Sequence, residues 1–186
     1  MRITRNYIEH DLQVGTRLDL PEAIATHLLR VLRLGEGDAL ILFNGDGKDY
    51  QARIVETGKR GARVDLLSAS EVNAESPLRI TLAQAIARGE KMDWVLQKAT
   101  ELGVSCIAPV STERTEVRLD AERSDRRMQH WQGVVASACE QCGRATLPAL
   151  EEPQALAPFL AARKDSPELL LALDPHGDLS LDTLPD

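Results

Sequence analysis

Apolar positions along the chain change their period partway through. Between residues 39 and 67 they fall in short runs, "ALILF", "YQARIVE" and "ARVDLL", separated by Asn44-Gly45-Asp46-Gly47 and Gly58-Lys59-Arg60-Gly61. Runs of this length, broken by residues that tolerate positive φ, predict strands over 39–43, 50–56 and 62–67 joined as hairpins. A compact β-barrel over residues 1–73 follows. Ahead of the hairpins, "PEAIATHLLRVLRLGEGD" repeats Ile24, Leu28, Val31 and Leu32 at helical spacing until Gly35, which predicts one helix of about three turns. The pair Gly45 and Gly47 reads as turn residues rather than a phosphate loop, because no third glycine and no helix pattern follow.

Ser76-Pro77 interrupts the pattern, and a second unit begins, taken as residues 74–186. A strand is predicted within "LRITLAQAIA". A helix opens at Gly89-Glu90, with Trp94, Val95, Leu96, Ala99 and Leu102 facing inward and Gly103 as its stop. A short apolar strand spans 104–110. A longer helix, 121–142, puts Met128, Trp131, Val135, Ala138 and Cys142 on one stripe. A helix in "PQALAPFLAAR", bent at Pro158, and a third strand in "ELLLALDP" complete the series. Strands alternating with helices imply an α/β fold with parallel pairing, whose ligands bind past the carboxyl ends of the strands.

Composition narrows the class. In 186 residues with 43% hydrophobic content there is enough apolar surface for a core in each unit. No apolar run nears the roughly 18 residues that cross a bilayer, and "MRITRNYIEHD" has no apolar stretch of the kind a signal peptide needs. A cytoplasmic protein with no membrane partner is expected. The net charge of -7 is uneven: residues 1–77 hold 10 Lys/Arg against 12 Asp/Glu, residues 78–147 hold 10 against 9, and residues 148–186 hold 2 against 8. Acidity concentrated in the last fifth leaves basic clusters elsewhere, so an RNA partner is compatible with the total.

Cys139 and Cys142 have Cys-x-x-Cys spacing, but they fall in the last turn of a helix, where the dipole opposes a thiolate, and no second pair completes a zinc set. No metal is expected, and Cys142 reads as a small core residue. Arg2, Arg5, His27, Arg30 and Arg33 form a candidate basic patch, either a solvated face or a contact to a phosphate backbone. Gln141 and Arg144, three apart across a helix end, could point together at a polar planar ligand, or Arg144 could cap the last carbonyls. Arg114 follows a strand's carboxyl end, the usual place for function, although "STERTEVR" would also suit a solvated loop. Lys98 and Glu101 read as a solvent face or a structural ion pair.

Three longer segments carry a resemblance. "HLLRVLRLGEGD" with "FNGDGKDYQARI" is similar to the amino-terminal PUA-like RNA-binding barrel of the RsmE family of 16S ribosomal RNA uridine N3-methyltransferases, members of the SPOUT class. "KMDWVLQKATELGVSCIAPVSTER" resembles the opening of that family's catalytic domain, and "ACEQCGRATLP" its Glu-Gln-x-x-Arg helix end. The resemblance implies a PUA-like β-barrel followed by a SPOUT-type parallel α/β domain, S-adenosyl-L-methionine as cofactor, a homodimer, and 16S rRNA or the small ribosomal subunit as partner. It implies catalytic roles for Arg144, Gln141 and Arg114, an RNA-docking role for the basic patch, and an edge of the cofactor site at Leu173, Asp174 and Pro175. The family's Gly-Pro-Glu-Gly-Gly and Leu-Gly-x-Arg segments do not occur before "LDTLPD", so the trefoil-knot part is expected to be missing or truncated.

Methylating uracil N3 is a displacement from a sulfonium in which an imide proton leaves and the base must be unstacked. The site must therefore hold the uracil carbonyls and disperse negative charge. The alternative is a non-catalytic RNA-binding protein, or a truncated fragment unable to bind the methyl donor. A dehydrogenase lacks its Gly-x-Gly-x-x-Gly turn here.

Overall fold

Alternation of apolar and polar residues builds the first sheet in the computed structural model, which describes residues 3–58, 61–113, 121–174, 176, 177 and 180. Strands β3 (Ala39–Phe43), β4 (Lys48–Thr57) and β5 (Ala62–Glu71) form an antiparallel meander. Leu40, Leu42, Tyr50, Ala52, Ile54, Val64 and Leu66 bury one face of it, the period-two pattern of a half-buried sheet. β1 (Arg5–Tyr7) adds in parallel to β3 and β2 (Arg17–Asp19) antiparallel to β5, giving the order β1-β3-β4-β5-β2. Irregularities at Gln51/Ala52 and Ile54/Glu56 interrupt the β4–β5 register; such bulges bend a ribbon around its core.

The helix expected near residues 21–34 is shorter and differently wound. α1 (Glu22–Thr26) runs directly into a π-type turn over His27–Val31, closed by the Leu32 N–H on the His27 carbonyl at 3.0 Å. The wider turn advances the stripe. Leu28 is buried with Leu29 and Leu34 packed beside it, whereas Val31 is 65% exposed and Leu32 faces outward. Arg33 then takes φ +56°, a left-handed backbone rarely used by non-glycine residues.

The second sheet is parallel throughout: β6 (Thr81–Ala85), β7 (Cys106–Ser111), β8 (Ala149–Leu150) and β9 (Gln154–Ala155), with β7 central. β7 is buried along its middle, as parallel strands covered on both faces are. Helix α2 (Glu90–Glu101) packs on α3 (Ala121–Cys142), and α4 (Leu156–Ala162) follows β9. Met92, Leu96 and Thr100 form the inward stripe of α2. Trp94, about 200° around the helix from both Met92 and Leu96, is 62% exposed, and Leu102, beyond the last turn, is 86% exposed; neither faces inward as the spacing predicts.

Two further expectations are corrected. Pro158 does not bend α4, because it sits in the first turn, where no intrahelical N–H is required. Among the described residues "ELLLALDP" forms no strand; Leu169, Leu170, Leu171 and Leu173 are exposed with no ladder partner, and the sheet positions beside β7 are filled by the short β8 and β9. Pro153, with no N–H to donate, lies between those two. Among the described residues no helix is long and apolar enough to cross a membrane.

Candidate nucleic-acid interface

The two sheets meet where the end of α3 abuts β1, and the cluster Phe43, Cys139 and Ala145 closes that seam. The hairpin loop at Gly45 and Gly47 touches the segment after α3: the Gly47 N–H donates to the Ala145 carbonyl at 3.2 Å, and both glycines have positive φ. This is the turn role read from the sequence. Cys139 packs into the seam, while Cys142, expected in the core, is exposed. The stripe that meets the parallel sheet through Met128, Trp131 and Val135 is replaced at the last turn by a face toward the barrel. Burial pushes the Cys139 thiol up to about 12, so it is protonated at neutral pH.

Arg5 projects from β1 into this seam. Its guanidinium pairs with Asp49 at 2.6 and 3.1 Å, donates to the carbonyls of Cys139 at 2.9 Å and Arg144 at 3.3 Å, and lies 4.5 Å from the Phe43 ring centroid. Beside it, Glu140 accepts the Tyr7 N–H at 2.8 Å. Burial raises the Glu140 carboxyl above the ordinary glutamate range, against the opposing effects of that hydrogen bond, His27 and Arg5.

Over these groups lies a groove of about 410 Å³ lined by Ile3, Thr4, Leu32, Leu34, Glu140 and Gln141 among others. The turn that contributes Leu32 and Leu34 also presents His27, Arg30 and Arg33, all exposed. Three of the expected basic residues thus share one segment beside the groove, while Arg5 is turned inward. The groove has apolar side chains, hydrogen-bonding groups and two carboxylates, Asp38 and Glu140, so a phosphate backbone would lie along the cationic flank while an unstacked base enters the groove.

Gln141 and Arg144 are not brought together. Gln141 lines the groove, whereas the Arg144 side chain is only 6% exposed. Arg144 Nε and Nη2 bind Glu75 at 2.9 and 2.6 Å, and Nη1 donates to the carbonyls of Thr100 at 2.9 Å and Val104 at 3.0 Å. Every guanidinium nitrogen is engaged by this chain's own acceptors. Burial alone would lower its pKa, but the Glu75 carboxylate raises it overall. Arg144 thus caps carbonyls, those at the end of α2 rather than of its own helix. Lys98 and Glu101 form an ion pair at 2.7 Å.

Leu173 is 88% exposed, and Asp174 closes a turn, accepting the His176 N–H at 2.9 Å. Arg2, Arg114 and Pro175 lie outside the described residues. Sequence spacing gave no hint of Glu75, Asp49 or Glu140 as partners. Glu75 precedes Ser76-Pro77 in the linker and Asp49 sits mid-strand, positions without periodicity. A buried arginine demands a carboxylate, but only the fold says which.

Each of the two sheet-bearing units matches a known domain type. Residues 74–186 match the profile of an RNA methyltransferase domain and residues 20–67 that of an RNA methyltransferase PUA domain. The chain is 30% identical to a ribosomal RNA small subunit methyltransferase E of Buchnera aphidicola, over 100% of this chain and 75% of that one. It is 25% identical to the protein of the same name from Bacillus subtilis, over 80% of this chain and 58% of the relative. Among solved structures, a Legionella pneumophila methyltransferase in complex with the cofactor SAM superposes with a TM-score of 0.93 at 41% identity, covering 100% of this chain and 76% of that one. The Neisseria gonorrhoeae ribosomal RNA small subunit methyltransferase E, bound to S-adenosyl methionine, gives 0.81 at 43% identity, covering 86% and 65%.

Proposed function

This chain belongs to the RsmE family of RNA methyltransferases, and from that premise we propose that it takes part in S-adenosylmethionine-dependent methylation of N3 of a uridine in 16S ribosomal RNA. The observation that carries the reading is the superposition, over the whole of this chain, on a methyltransferase that holds SAM. The barrel docks RNA through His27, Arg30 and Arg33, with Arg2 adding a further cation. The groove at the seam takes the RNA strand, with Gln141 offering hydrogen bonds to a base. Arg114 disperses charge on the reacting uracil, and Leu173, Asp174 and Pro175 border the cofactor. Arg144 acts as a positioning residue: it fixes the end of α2 against the linker and so the wall on which Gln141 stands. A catalytic role for Arg144 would require it to leave Glu75.

A homodimer in the cytoplasm belongs to the same reading.

S-adenosylmethionine supplies an electrophilic methyl group. What this chain supplies is a scaffold that strips a strand from its partners and holds it still. The test is methyl transfer from labelled S-adenosylmethionine to unmodified small subunits, with nucleoside analysis of the 16S RNA. Label on uridine N3 is expected; label on another base or another atom would overturn the reading.

A further inference from the structure

Past the carboxyl end of β6 the chain turns through Ile86 and Ala87 to Gly89, where α2 begins. A second cavity, of about 310 Å³, opens between this turn, α2 and α3. Its apolar walls are Ile86, Met92 and Trp131, all buried. Arg127 lines it too, and Arg127 Nη1 is, among the described residues, the one buried side-chain polar atom with no hydrogen-bond partner. The neighbouring carboxylate does not answer it: Asp93 Oδ2 lies 2.8 Å from His130 Nε2 instead. Glu90 is exposed at the rim. Nη1 itself is closed to solvent-sized access, so meeting a ligand in the cavity requires the Arg127 head to turn toward it; a desolvated guanidinium N–H without an acceptor is costly enough to favour that turn.

We propose that this cavity is a subsite for an unpaired nucleobase with a lactam edge, uracil or guanine. The walls suit a flat apolar ring. Arg127 donates to a carbonyl oxygen of the base, and the adjacent ring N–H donates to a carboxylate of Asp93 or Glu90. Adenine and cytosine carry an unprotonated ring nitrogen there, which would meet the carboxylate lone pair to lone pair. A phosphate suits Arg127 but is repelled by both carboxylates. The cavity also sits where parallel α/β sheets take ligands, at the carboxyl edge of a strand. The inference rests on the proposed function only for the source of the base, a single-stranded segment of RNA.

The two tryptophans make the test direct, since Trp131 forms a wall and Trp94 is exposed on α2. Indole N–H resonances of the 15N-labelled chain are followed while uridine, guanosine, cytidine and adenosine monophosphates, and inorganic phosphate, are added in turn. Uridine and guanosine monophosphates are expected to shift the Trp131 signal saturably, about tenfold more tightly than the other two, the discrimination of one well-formed pair of hydrogen bonds. Trp94 should not move. Arg127→Met, which keeps the stem and loses the charged head, should abolish the selectivity. An equal response to all four nucleotides, a response to inorganic phosphate alone, or no Trp131 response at tens of millimolar would each overturn the proposal. The wild-type titration decides by itself if the variant does not fold. Because it uses neither methyl donor nor ribosome, its failure is separable from failure of methyl transfer.

Discussion

Arg144 and Glu75 form a two-pronged ion pair, Nη2 to Oε2 at 2.6 Å and Nε to Oε1 at 2.9 Å, that ties the linker between the sheets to the end of α3. Removing the arginine strands that carboxylate and the carbonyls of Thr100 and Val104. Breaking a buried pair from one side costs about 3–5 kcal/mol; with Glu75 about a third exposed, the low end applies. Arg144→Ala should therefore lose about 3 kcal/mol by urea unfolding, and Arg144→Lys, which retains charge without the fork, should lose less. A stable Arg144→Ala protein that only turned over slowly would place the residue in the chemistry instead.

Much of this arrangement is readable from sequence, and the failures share a cause. Helix 121–142 and the glycine-bounded α2 follow from period and caps alone, because a buried stripe at 3.6-residue spacing has one solution. Extending that spacing puts Cys142 and Trp94 inward, in places where the neighbour changes. The last turn of α3 faces a second unit, which a period cannot announce. The π-turn at His27–Val31 escapes for a related reason, since one widened turn moves Val31 and Leu32 outward without altering composition. Candidate side chains could be named by type, yet whether an arginine meets RNA or a glutamate depends on contacts many residues away. Arg5 and Arg144 both read as functional from sequence, and the fold uses both to fasten its halves.

Arg5 joins the two sheets through Asp49, the Cys139 carbonyl and the Phe43 ring. Its loss should uncouple them. Arg5→Met keeps the apolar stem and is expected to lower stability by about 2–4 kcal/mol, given a partly buried ion pair and its hydrogen bonds. Calorimetry should show one unfolding transition in the parent and two in the variant, as each sheet retains a core of its own. A single transition shifted by less than about 1 °C, where 1 kcal/mol moves a chain of this size by a few degrees, would refute the coupling.

Arg30 and Arg33 are exposed on the turn beside the groove. Alanine there should leave thermal stability within about 0.5 kcal/mol. If each neutralises one phosphate, each substitution lowers the slope of log K against log salt by about 0.7 for a single strand. Binding of a single-stranded fragment of 16S RNA, measured from low to moderate salt, checks this. An unchanged slope in the double variant would remove these two residues from the interface. Arg33→Gly has a second consequence, because φ +56° suits glycine: RNA affinity should fall while stability holds or rises by about 0.5 kcal/mol.

Glu140 gives the seam a pH dependence of definite sign. Burial raises its carboxyl in the folded chain above the value it has unfolded, so the folded state holds the proton more tightly. Ionising Glu140 therefore opposes folding. The stabilising contribution is fully present below the unfolded value and is lost as pH rises through the raised folded one. Glutamine keeps the acceptor for the Tyr7 N–H, bonded at 2.8 Å in the parent, and cannot ionise. Glu140→Gln should then melt above the parent near neutral pH and coincide with it in acid, where the parent carboxyl is protonated. Melting curves of the two proteins across that range decide the matter. A parent more stable than Glu140→Gln at neutral pH would mean that attraction to His27 and Arg5 outweighs desolvation, and that the seam is held by the charge rather than in spite of it.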